Sequence, residues 1–393
     1  MGRLLVDRTA ESTMGWSSRE GLVDLAPPVW RWRQQSRQPS GETCQADAMT
    51  SAIAYALHQA SGRFEKTTIE RRELGPNDVR IAIAFAGICH SDIHTAREEW
   101  GTVRYPLVPG HEIAGVVEAI GDAVTTHAVG DRVGVGCMVN SCRECENCLA
   151  GEEQYCAKGN IGTYNAVDLD GTVTMGGYST SVVVNEHFVL SIPEGIALDV
   201  AAPLLCAGIT MYSPLMRWGT GPGKKVAILG LGGLGHMGVK LAAAMGAEVT
   251  ILSRTAAKEA DATALGAHHF VVTEPSQLRS LRSTYDLIVN TVSASVNAET
   301  YLSLLRFNGV LANVGVSPEP LSTRFSPLAQ NNRVLAASGI GGIRETQEMI
   351  NFCAAHGVGS MIETIAASQI DEAYDRVVAS DVRYRFVIDA STF

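Results

Sequence analysis

The chain has 393 residues, more than one hydrophobic core usually supports, so we expect two domains of ordinary size. Hydrophobic residues make up 46% and charged residues 18%, and no apolar run is long enough to predict a transmembrane span. The net charge of -10 disfavours a nucleic-acid partner, because neutralising phosphates requires a basic face.

The first 48 residues differ in composition and hydrophobic pattern from the rest of the chain. They are arginine-rich, are broken by Pro27 and Pro28, and show no sustained helical or strand period. Acidic residues such as Glu11 and the lack of an apolar segment disfavour a targeting peptide. We predict a disordered extension or an upstream start codon, with Met49 opening the ordered protein; whether residues 1–48 belong to the natural protein is left open.

Short alternating or apolar runs follow between residues 63 and 139. Residues 79–84, 115–120 and 132–135 are separated by Gly, Pro and Asp, which is typical of small strands in a β-rich domain. From about residue 201 the pattern changes to strands that alternate with helices. The predicted strands are 226–229, 249–252, 287–290 and 310–314, and the predicted helices are 236–245 and 256–265. This alternation predicts a doubly wound parallel sheet.

The C-terminal tail carries a predicted helix at 345–356 and a predicted strand at 384–388, which we expect to return to the first domain. The predicted organisation is therefore a β-rich domain made of residues 49–200 and 341–393. An α/β domain, residues 201–340, is inserted before the tail. A functional site is expected in the cleft between the two.

Four of the nine cysteines crowd into fifteen residues with the spacing C-x2-C-x2-C-x7-C: Cys142, Cys145, Cys148 and Cys156. Four thiolates in one short lobe can close a tetrahedron around zinc and leave no open position, which is typical of a structural site. An iron–sulfur cluster is the alternative, but no proline follows the last cysteine and no second cluster is present. Thiolate ligation and the odd number of cysteines favour a reducing, cytoplasmic compartment over disulfides.

A second candidate metal site is scattered along the chain. Cys89 lies in the string Gly-Ile-Cys-His-Ser-Asp-Ile-His, His111 in Gly-His-Glu, and Cys206 in Leu-Leu-Cys-Ala-Gly. Together they would bind zinc with a vacant fourth position, as a Lewis-acid catalyst requires. Taken singly, each is more often a packed core residue. Cys137 and Cys353 have no partner at a recognisable spacing, and we predict that both are core thiols.

A glycine-rich turn follows the apolar strand at 226–229 and opens a helix. Its residues are Gly230, Leu231, Gly232, Gly233, Leu234 and Gly235. In this context G-x-G-x-x-G predicts a dinucleotide site, because the glycines let the backbone approach the pyrophosphate at the helix N-terminus.

The end of the next strand distinguishes NAD from NADP. An NAD-dependent enzyme usually places Asp or Glu there to bind the ribose hydroxyls, whereas this chain has Ser253 followed by Arg254 and Lys258. The absence of a carboxylate and the two cations favour pairing with a 2′-phosphate, hence NADP(H). The alternative is that the two cations are solvated residues at a helix start.

These motifs, in this order, resemble the zinc-containing medium-chain alcohol dehydrogenases, and most of all the cinnamyl alcohol dehydrogenase type of NADP-dependent enzyme. The resemblance runs from about residue 49 to the C-terminus. It implies an α/β protein with a β-rich GroES-like catalytic domain and a Rossmann doubly wound parallel-sheet domain. It also implies two zinc ions per chain, one catalytic and one structural.

The same resemblance assigns roles around the open site. It implies that Cys89, His111 and Cys206 bind the catalytic zinc, with Glu112 adjacent, and that Asp92 holds His111. Further implied roles are Ser91 at the substrate oxygen, His94 at the outer end of a proton relay, His90 at the pyrophosphate, Thr210 near the nicotinamide and Trp100 in the substrate pocket.

The predicted function is hydride transfer between NADP(H) and a primary alcohol or aldehyde, aromatic or medium-chain aliphatic, with aldehyde reduction favoured. The family implies a homodimer or homotetramer; the choice between them, the physiological substrate and the direction remain open. One rival is an NAD-linked polyol dehydrogenase of the same superfamily, which would carry an acidic residue in place of Ser253. The other is a non-catalytic zinc- and nucleotide-binding redox sensor, which would show damage at the open site.

Overall fold

The computed structural model describes residues 50–317 and 319–393, so the prediction for residues 1–48 lies outside the described residues. The strands of the described chain are β1 (Thr50–Ala56), β2 (Glu65–Arg71), β3 (Asp78–Gly87), β4 (Ile113–Ile120), β5 (Arg132–Val135), β6 (Met138–Asn140), β7 (Ile161–Gly162), β8 (Ser181–Asn185), β9 (Leu190–Ser191), β10 (Lys225–Leu229), β11 (Glu248–Ser253), β12 (His269–Val272), β13 (Tyr285–Asn290), β14 (Leu305–Asn313), β15 (Val334–Ala337), β16 (Ile362–Ala366) and β17 (Arg385–Asp389).

Helices connect and cover these strands. They are α1 (His90–Ala96), α2 (Glu146–Leu149), α3 (Leu198–Ala201), α4 (Ala207–Arg217), α5 (Gly233–Ala244), α6 (Glu259–Ala264), α7 (Pro275–Ser280), α8 (Ala298–Leu304), α9 (Phe325–Ala329), α10 (Ile343–His356) and α11 (Ile370–Val378). Among the described residues no single helix is long and apolar enough to cross a membrane. One bent pair, Leu198–Leu205 with Ala207–Arg217 at 56°, meets the length and composition criteria jointly.

The β-rich part is built around a mostly antiparallel sheet with the strand order β16-β17-β3-β4-β5-β9, and β8 pairs with β3. Its apolar residues form a buried cluster that includes Val79, Ile81, Val133 and Phe188. The tail strand β17 joins this sheet next to β3, where Val387 pairs with Gly87. The C-terminal tail therefore contributes directly to the sheet from which segment 88–94 emerges.

The second sheet has the order β12-β11-β10-β13-β14-β15, and every pairing in it is parallel. Strand β10 reads Lys-Val-Ala-Ile-Leu and is buried from Val226 to Leu229, as expected for a strand covered by helices on both faces. Separate apolar clusters lie on the two faces, one with α4, α5 and α10 and the other with α8. The predicted doubly wound parallel sheet is confirmed.

The predicted elements match this structure, with differences at two helices and one strand, because β14 begins at Leu305 and not at residue 310. Helix α5 begins at Gly233, inside the glycine turn, rather than at residue 236, so Gly233 and Gly235 both lie in its first turn. The predicted helix at 256–265 is divided into a 3₁₀ turn, Ala256–Lys258, and the short α6. The domain boundaries near residues 200 and 340 remain predictions.

Candidate active site

A cleft of about 960 Å³ runs from the β-rich sheet to the carboxyl ends of the parallel strands. It brings together nearly all residues predicted for the metal, cofactor and substrate. Those that line it are Cys89, His90, Ser91, His94, Trp100, His111, Cys206, Thr210, Gly230, Leu231, Gly232, Gly233, Leu234, Ser253, Arg254 and Lys258. Asp92, Glu112 and Gly235 lie behind this surface and support it.

The open metal site assembles from three separate places in the fold. Cys89 is the residue before α1, His111 precedes β4, and Cys206 is the residue before α4. One ligand atom each from Cys89, His111, Glu112 and Cys206 lies within 4.8 Å of the others, and the Sγ atoms of the two cysteines are 3.9 Å apart. This is a compact set of soft and borderline donors at the wall of the cleft, which suits zinc.

Asp92 orients the imidazole of His111. The Nδ1 atom of His111 donates to Asp92 Oδ1 at 3.0 Å, and the carboxylate is fully buried. Asp92 also accepts hydrogen bonds from the backbone N–H groups of Cys89 at 2.9 Å and Gly110 at 3.2 Å. With Nδ1 engaged, Nε2 is the nitrogen left for a metal, which is the arrangement that zinc histidines generally use.

Glu112 provides an independent test of whether the site fits a cation. Its side chain is fully buried; Oε1 accepts from Arg385 Nη2, and Oε2 has no hydrogen-bond partner among the described residues. Burial raises the pKa of Glu112 to about 8, even though Arg385 opposes the shift. An unpaired carboxylate oxygen beside two thiols and an imidazole fits a metal ion, since such a group is otherwise costly to bury.

The thiols of Cys89 and Cys206 form a hydrogen bond with each other. The neighbouring Cys206 thiol holds the pKa of Cys89 well below its ordinary value, and His111 acts in the same direction. Because a thiolate is the form that binds metals, this pairing prepares Cys89 for ligation. The donor chemistry therefore agrees with the geometry.

The prediction that Cys137 is a core thiol is wrong. Cys137 lines the cleft, is only partly buried, and donates to the Leu205 carbonyl over 3.9 Å, close to Cys206. Cys137 lies near Cys206 because two distant segments of the chain pack together, and the spacing of cysteines along the sequence does not reveal this. Cys353, in contrast, is fully buried in the apolar cluster around α10, as predicted.

The residues that the resemblance assigns to substrate binding and proton transfer lie near Cys89, in the same cleft. Ser91 Oγ lies 3.6 Å from Cys89 Sγ. His94 follows on α1, bonds Glu99 through Nδ1 and stacks on Trp100 with ring centroids 4.8 Å apart. Trp100 is half exposed at the cleft, which is consistent with a role in the pocket.

Two further cleft residues were not found from the sequence. Tyr164 stacks on His111 with ring centroids 5.8 Å apart, and Arg385 connects Glu112 to the backbone carbonyl of Ile88 at 2.8 Å. Both belong to segments that carry no recognisable local motif. Only their three-dimensional contacts distinguish them from other tyrosines and arginines.

The four-cysteine lobe forms a second compact group. Its sulfur atoms all lie within 4.8 Å of one another. Backbone N–H groups donate to them, from Cys145 to Cys142 Sγ at 3.4 Å and from Ala157 to Cys145 Sγ at 3.4 Å. The Ala157 hydrogen bond is the main cause that lowers the pKa of Cys145 to about 6. N–H donors aimed at sulfur stabilise thiolates, so the lobe fits a tetrahedral zinc with no open position.

Loss of one lobe thiol is expected to remove one metal ion and destabilise the protein. Structural zinc sites contribute on the order of 10 kcal/mol, so Cys148→Ser should reduce zinc from two ions to one per chain and lower the Tm by roughly 10 °C or more. Elemental analysis and calorimetry measure both effects. Glu144→Gln, an exposed change in the same lobe, is the control and should retain two ions. Unchanged metal content in Cys148→Ser would contradict a structural role.

The cofactor turn has the geometry of a pyrophosphate site. It connects β10 to α5, and Gly230 has φ of 94°, in the region that favours glycine. A Cβ atom at Gly235 would lie 2.1 Å from the Gly230 carbonyl oxygen, so a side chain would open the turn. Gly232, Gly233 and Leu234 at the start of α5 line the cleft, so the N-terminus of this helix is placed to bind a phosphate.

Polar and cationic side chains collect where β11 ends. Ser253 is the last residue of β11, and Arg254 follows it on the cleft surface. Lys258 extends back to the cofactor turn, where its Nζ donates to the Leu231 carbonyl at 2.9 Å. His90 lines the same cleft with an exposed side chain, and partial desolvation lowers its pKa. Within the described part of the chain no carboxylate lines this cleft, which suits a ligand rich in phosphate.

An open metal site and a dinucleotide turn that share one cleft define a metal-dependent dehydrogenase. Residues 75–194 match the alcohol dehydrogenase GroES-like domain, and residues 233–355 match the zinc-binding dehydrogenase family. The chain belongs to the zinc-binding alcohol dehydrogenases. Membership confirms the predicted family, fold class and reaction class, and a small alcohol or aldehyde is the substrate class.

Individual relatives cover almost the whole described chain. The NADP-dependent alcohol dehydrogenase C 1 of Mycolicibacterium smegmatis is 56% identical over 346 residues, which are 88% of this chain and 99% of that protein. A cinnamyl alcohol dehydrogenase structure from Sorghum bicolor has a TM-score of 0.84 at 41% identity, covering 87% of this chain and 98% of that one. The structure of CAD from Helicobacter pylori complexed with NADP(H) has a TM-score of 0.82 at 42% identity, covering 87% and 99%.

Proposed function

We propose that this enzyme transfers hydride between NADP(H) and a primary alcohol or aldehyde, with aldehyde reduction as the working direction. The observation that carries the proposal is the placement of the Cys89, His111 and Cys206 group in the same cleft as the cofactor turn and Ser253. A relative named for NADP dependence and a structural neighbour complexed with NADP(H) support the choice of cofactor. The favoured substrates are aromatic, such as cinnamyl or benzyl compounds, or medium-chain aliphatic.

Cys89, His111 and Cys206 would hold the catalytic zinc, which supplies a Lewis acid that favours an alkoxide and polarises a carbonyl. Ser91 lies beside this group and is the hydroxyl that would donate a proton to, or accept one from, the substrate oxygen. His94 is placed one helical turn later with Nδ1 held by Glu99, so its other nitrogen is available to exchange the proton. Asp92 holds His111 in the orientation that ligation requires.

Gly230 to Gly235 and His90 would receive the pyrophosphate, and Thr210 in the first turn of α4 would contact the nicotinamide end. Ser253, Arg254 and Lys258 would bind the 2′-phosphate. The NAD-linked polyol dehydrogenase is disfavoured, because the position at the end of β11 carries a hydroxyl instead of a carboxylate. The non-catalytic sensor is disfavoured by an open site that retains all three ligands and Ser91.

A homodimer or homotetramer remains part of the proposal. The outer strand β15 has a free edge among the described residues, and Val334 on this strand is 44% exposed. Phe325, on the preceding helix α9, is 89% exposed. An apolar strand edge of this kind favours pairing with a second chain. The two groups of clustered thiols suit a reducing compartment, so a cytoplasmic location is part of the proposal.

The direct test is the initial rate with cinnamaldehyde or benzaldehyde, using NADPH and NADH separately, before and after treatment with a zinc chelator. We expect turnover with a strong preference for NADPH and loss of the activity after chelation. Re-addition of zinc is the control for nonspecific inactivation. Absence of turnover with both cofactors across several aldehydes would contradict the proposal and favour the non-catalytic alternative.

A further inference from the structure

A strained segment forms part of the cleft wall. Residues 338–342, here called the wall segment, connect β15 to α10, and Ser338, Gly339 and Ile340 line the cleft. Ile340 has φ of 40°, which a β-branched residue rarely adopts. Such a conformation persists only when surrounding contacts impose it, and it often marks a functional position. The position of the wall segment therefore depends on the residues that pack against it.

The four-cysteine lobe holds the C-terminal end of the wall segment. The spacer between its third and fourth cysteines, residues 149–155, lies against the wall segment and the start of α10. Arg344 Nη2 donates to the Ala150 carbonyl at 3.0 Å. A Cβ atom at Gly342 would lie 1.8 Å from the Gly151 carbonyl oxygen, so only glycine permits this approach of two backbones. The wall segment is thus packed directly on the lobe.

Glu153 in the spacer makes the most buried of these contacts. It is 2% exposed; Oε2 accepts from the backbone N–H of Ile343 at 3.0 Å, and Oε1 is bonded to His187 Nε2 at 2.9 Å. Burial alone would raise the pKa of Glu153, but the His187 and Ile343 hydrogen bonds outweigh it and hold the pKa below the ordinary value. A charged carboxylate consequently caps α10 at the residue that follows the wall segment.

The wall segment lies at one particular end of the cofactor cleft. In the sheet order, β11 carries Ser253 on one side of β10, and β15 lies on the other side, beyond β13 and β14. A dinucleotide placed on the glycine turn extends across this order, with its adenosine near β11 and its nicotinamide toward the opposite side. Ile340 also packs against the apolar clusters of both sheets.

We infer that Glu153 is a positioning residue that fixes the nicotinamide end of the cofactor cleft by holding the wall segment on the metal lobe. The inference rests on the proposed function for the identity of the cofactor. It gives the four-cysteine lobe a role in catalysis besides stability, because the spacer between two of its ligands supports part of the active site. Glu153 does not line the cleft and acts through the backbone N–H of Ile343, the residue that follows the wall segment.

The test compares Glu153→Gln with the unaltered enzyme and with Glu152→Gln. Glu152 lies in the same spacer but bonds Arg217 and Gln154 instead of the wall segment, so it is a matched control. Binding of NADPH, NADH and 2′-phospho-ADP-ribose, which lacks nicotinamide, is measured by titration. For Glu153→Gln we expect NADPH and NADH each to bind about tenfold more weakly, because the amide has no charge and only one acceptor oxygen for the two donors, Ile343 N–H and His187. The fragment should bind with unchanged affinity.

A purely structural role would weaken the fragment and NADPH equally, and this outcome would overturn the inference, as would unchanged NADPH affinity. His187→Ala, which removes the partner of the other carboxylate oxygen, is the milder second variant and should show a smaller effect in the same direction. The proposed function fails if the unaltered enzyme does not oxidise NADPH with any aldehyde. The inference fails if the unaltered enzyme does so and Glu153→Gln binds NADPH equally tightly.

Discussion

Replacing Cys206 with Ser is expected to reduce kcat/KM by about four orders of magnitude, a loss of about 5.4 kcal/mol of transition-state stabilisation. Cys206 lies 3.9 Å from Cys89 between their Sγ atoms and completes the three-ligand group with His111. A serine hydroxyl is a poor replacement because it does not ionise at neutral pH. Zinc content should fall from two ions to one per chain, while the lobe ion is retained.

Cys137→Ser is the matched control for this experiment. Both thiols line the same wall of the cleft, but Cys137 donates to the Leu205 carbonyl and does not belong to the compact ligand group. We expect this variant to retain two zinc ions and a rate within about tenfold of the unaltered enzyme. If Cys137→Ser also lost an ion, or Cys206→Ser retained both, the assignment of the third ligand would be wrong.

Local motifs explain why so much of the site is predictable from the sequence. Asp92 lies three residues after Cys89, on the helix that Cys89 begins, so one short string supplies a ligand, a hydroxyl and the carboxylate that holds His111. The glycine turn is likewise a continuous string that connects a strand to a helix. In both cases residues that act together are close in the chain, and the backbone alone brings them together.

The missed residues act through contacts between distant segments. Arg385 reaches Glu112 across 273 residues, and Glu153 reaches Ile343 across 190. A lone arginine near the C-terminus and a glutamate in a loop resemble many solvated side chains, so no periodicity or spacing distinguishes them. Strand pairing supplies the missing information, because β17 must lie beside β3 before Arg385 can approach the metal group.

The residue at which a helix begins could not be predicted from the sequence patterns either. The glycine turn predicted a helix start after residue 235, yet α5 already begins at Gly233, where the chain turns tightly above Gly230. Glycine has low helix propensity, so a propensity argument delays the start. Burial against the neighbouring helix α4 and strand β10 overrides that preference.

Replacing Ser253 with Asp is expected to reverse or abolish the preference for NADPH over NADH. A carboxylate about 4 Å from the 2′-phosphate costs roughly 4 kcal/mol at an effective dielectric of 20. Ser253 is partly exposed at the cleft, so solvent screening reduces this cost, and we expect the ratio of kcat/KM values to fall roughly a hundredfold. The same carboxylate could accept hydrogen bonds from the ribose hydroxyls of NADH, which supports that cofactor.

Ser253→Asn separates charge from size in this experiment, because it adds a similar volume without a carboxylate and should retain most of the NADPH preference. Lys258 donates to the Leu231 carbonyl at 2.9 Å and lies 5.6 Å from the Tyr384 ring centroid, which would hold its charge near the proposed 2′-phosphate site in both variants.

Raising the salt concentration should weaken NADPH binding more than NADH binding in the unaltered enzyme, because only NADPH has a 2′-phosphate that would pair with Arg254 and Lys258. A Ser253→Asp enzyme that kept its full NADPH preference would mean that the end of β11 does not contact the phosphate, and the cofactor assignment would then rest on Arg254 and Lys258 alone.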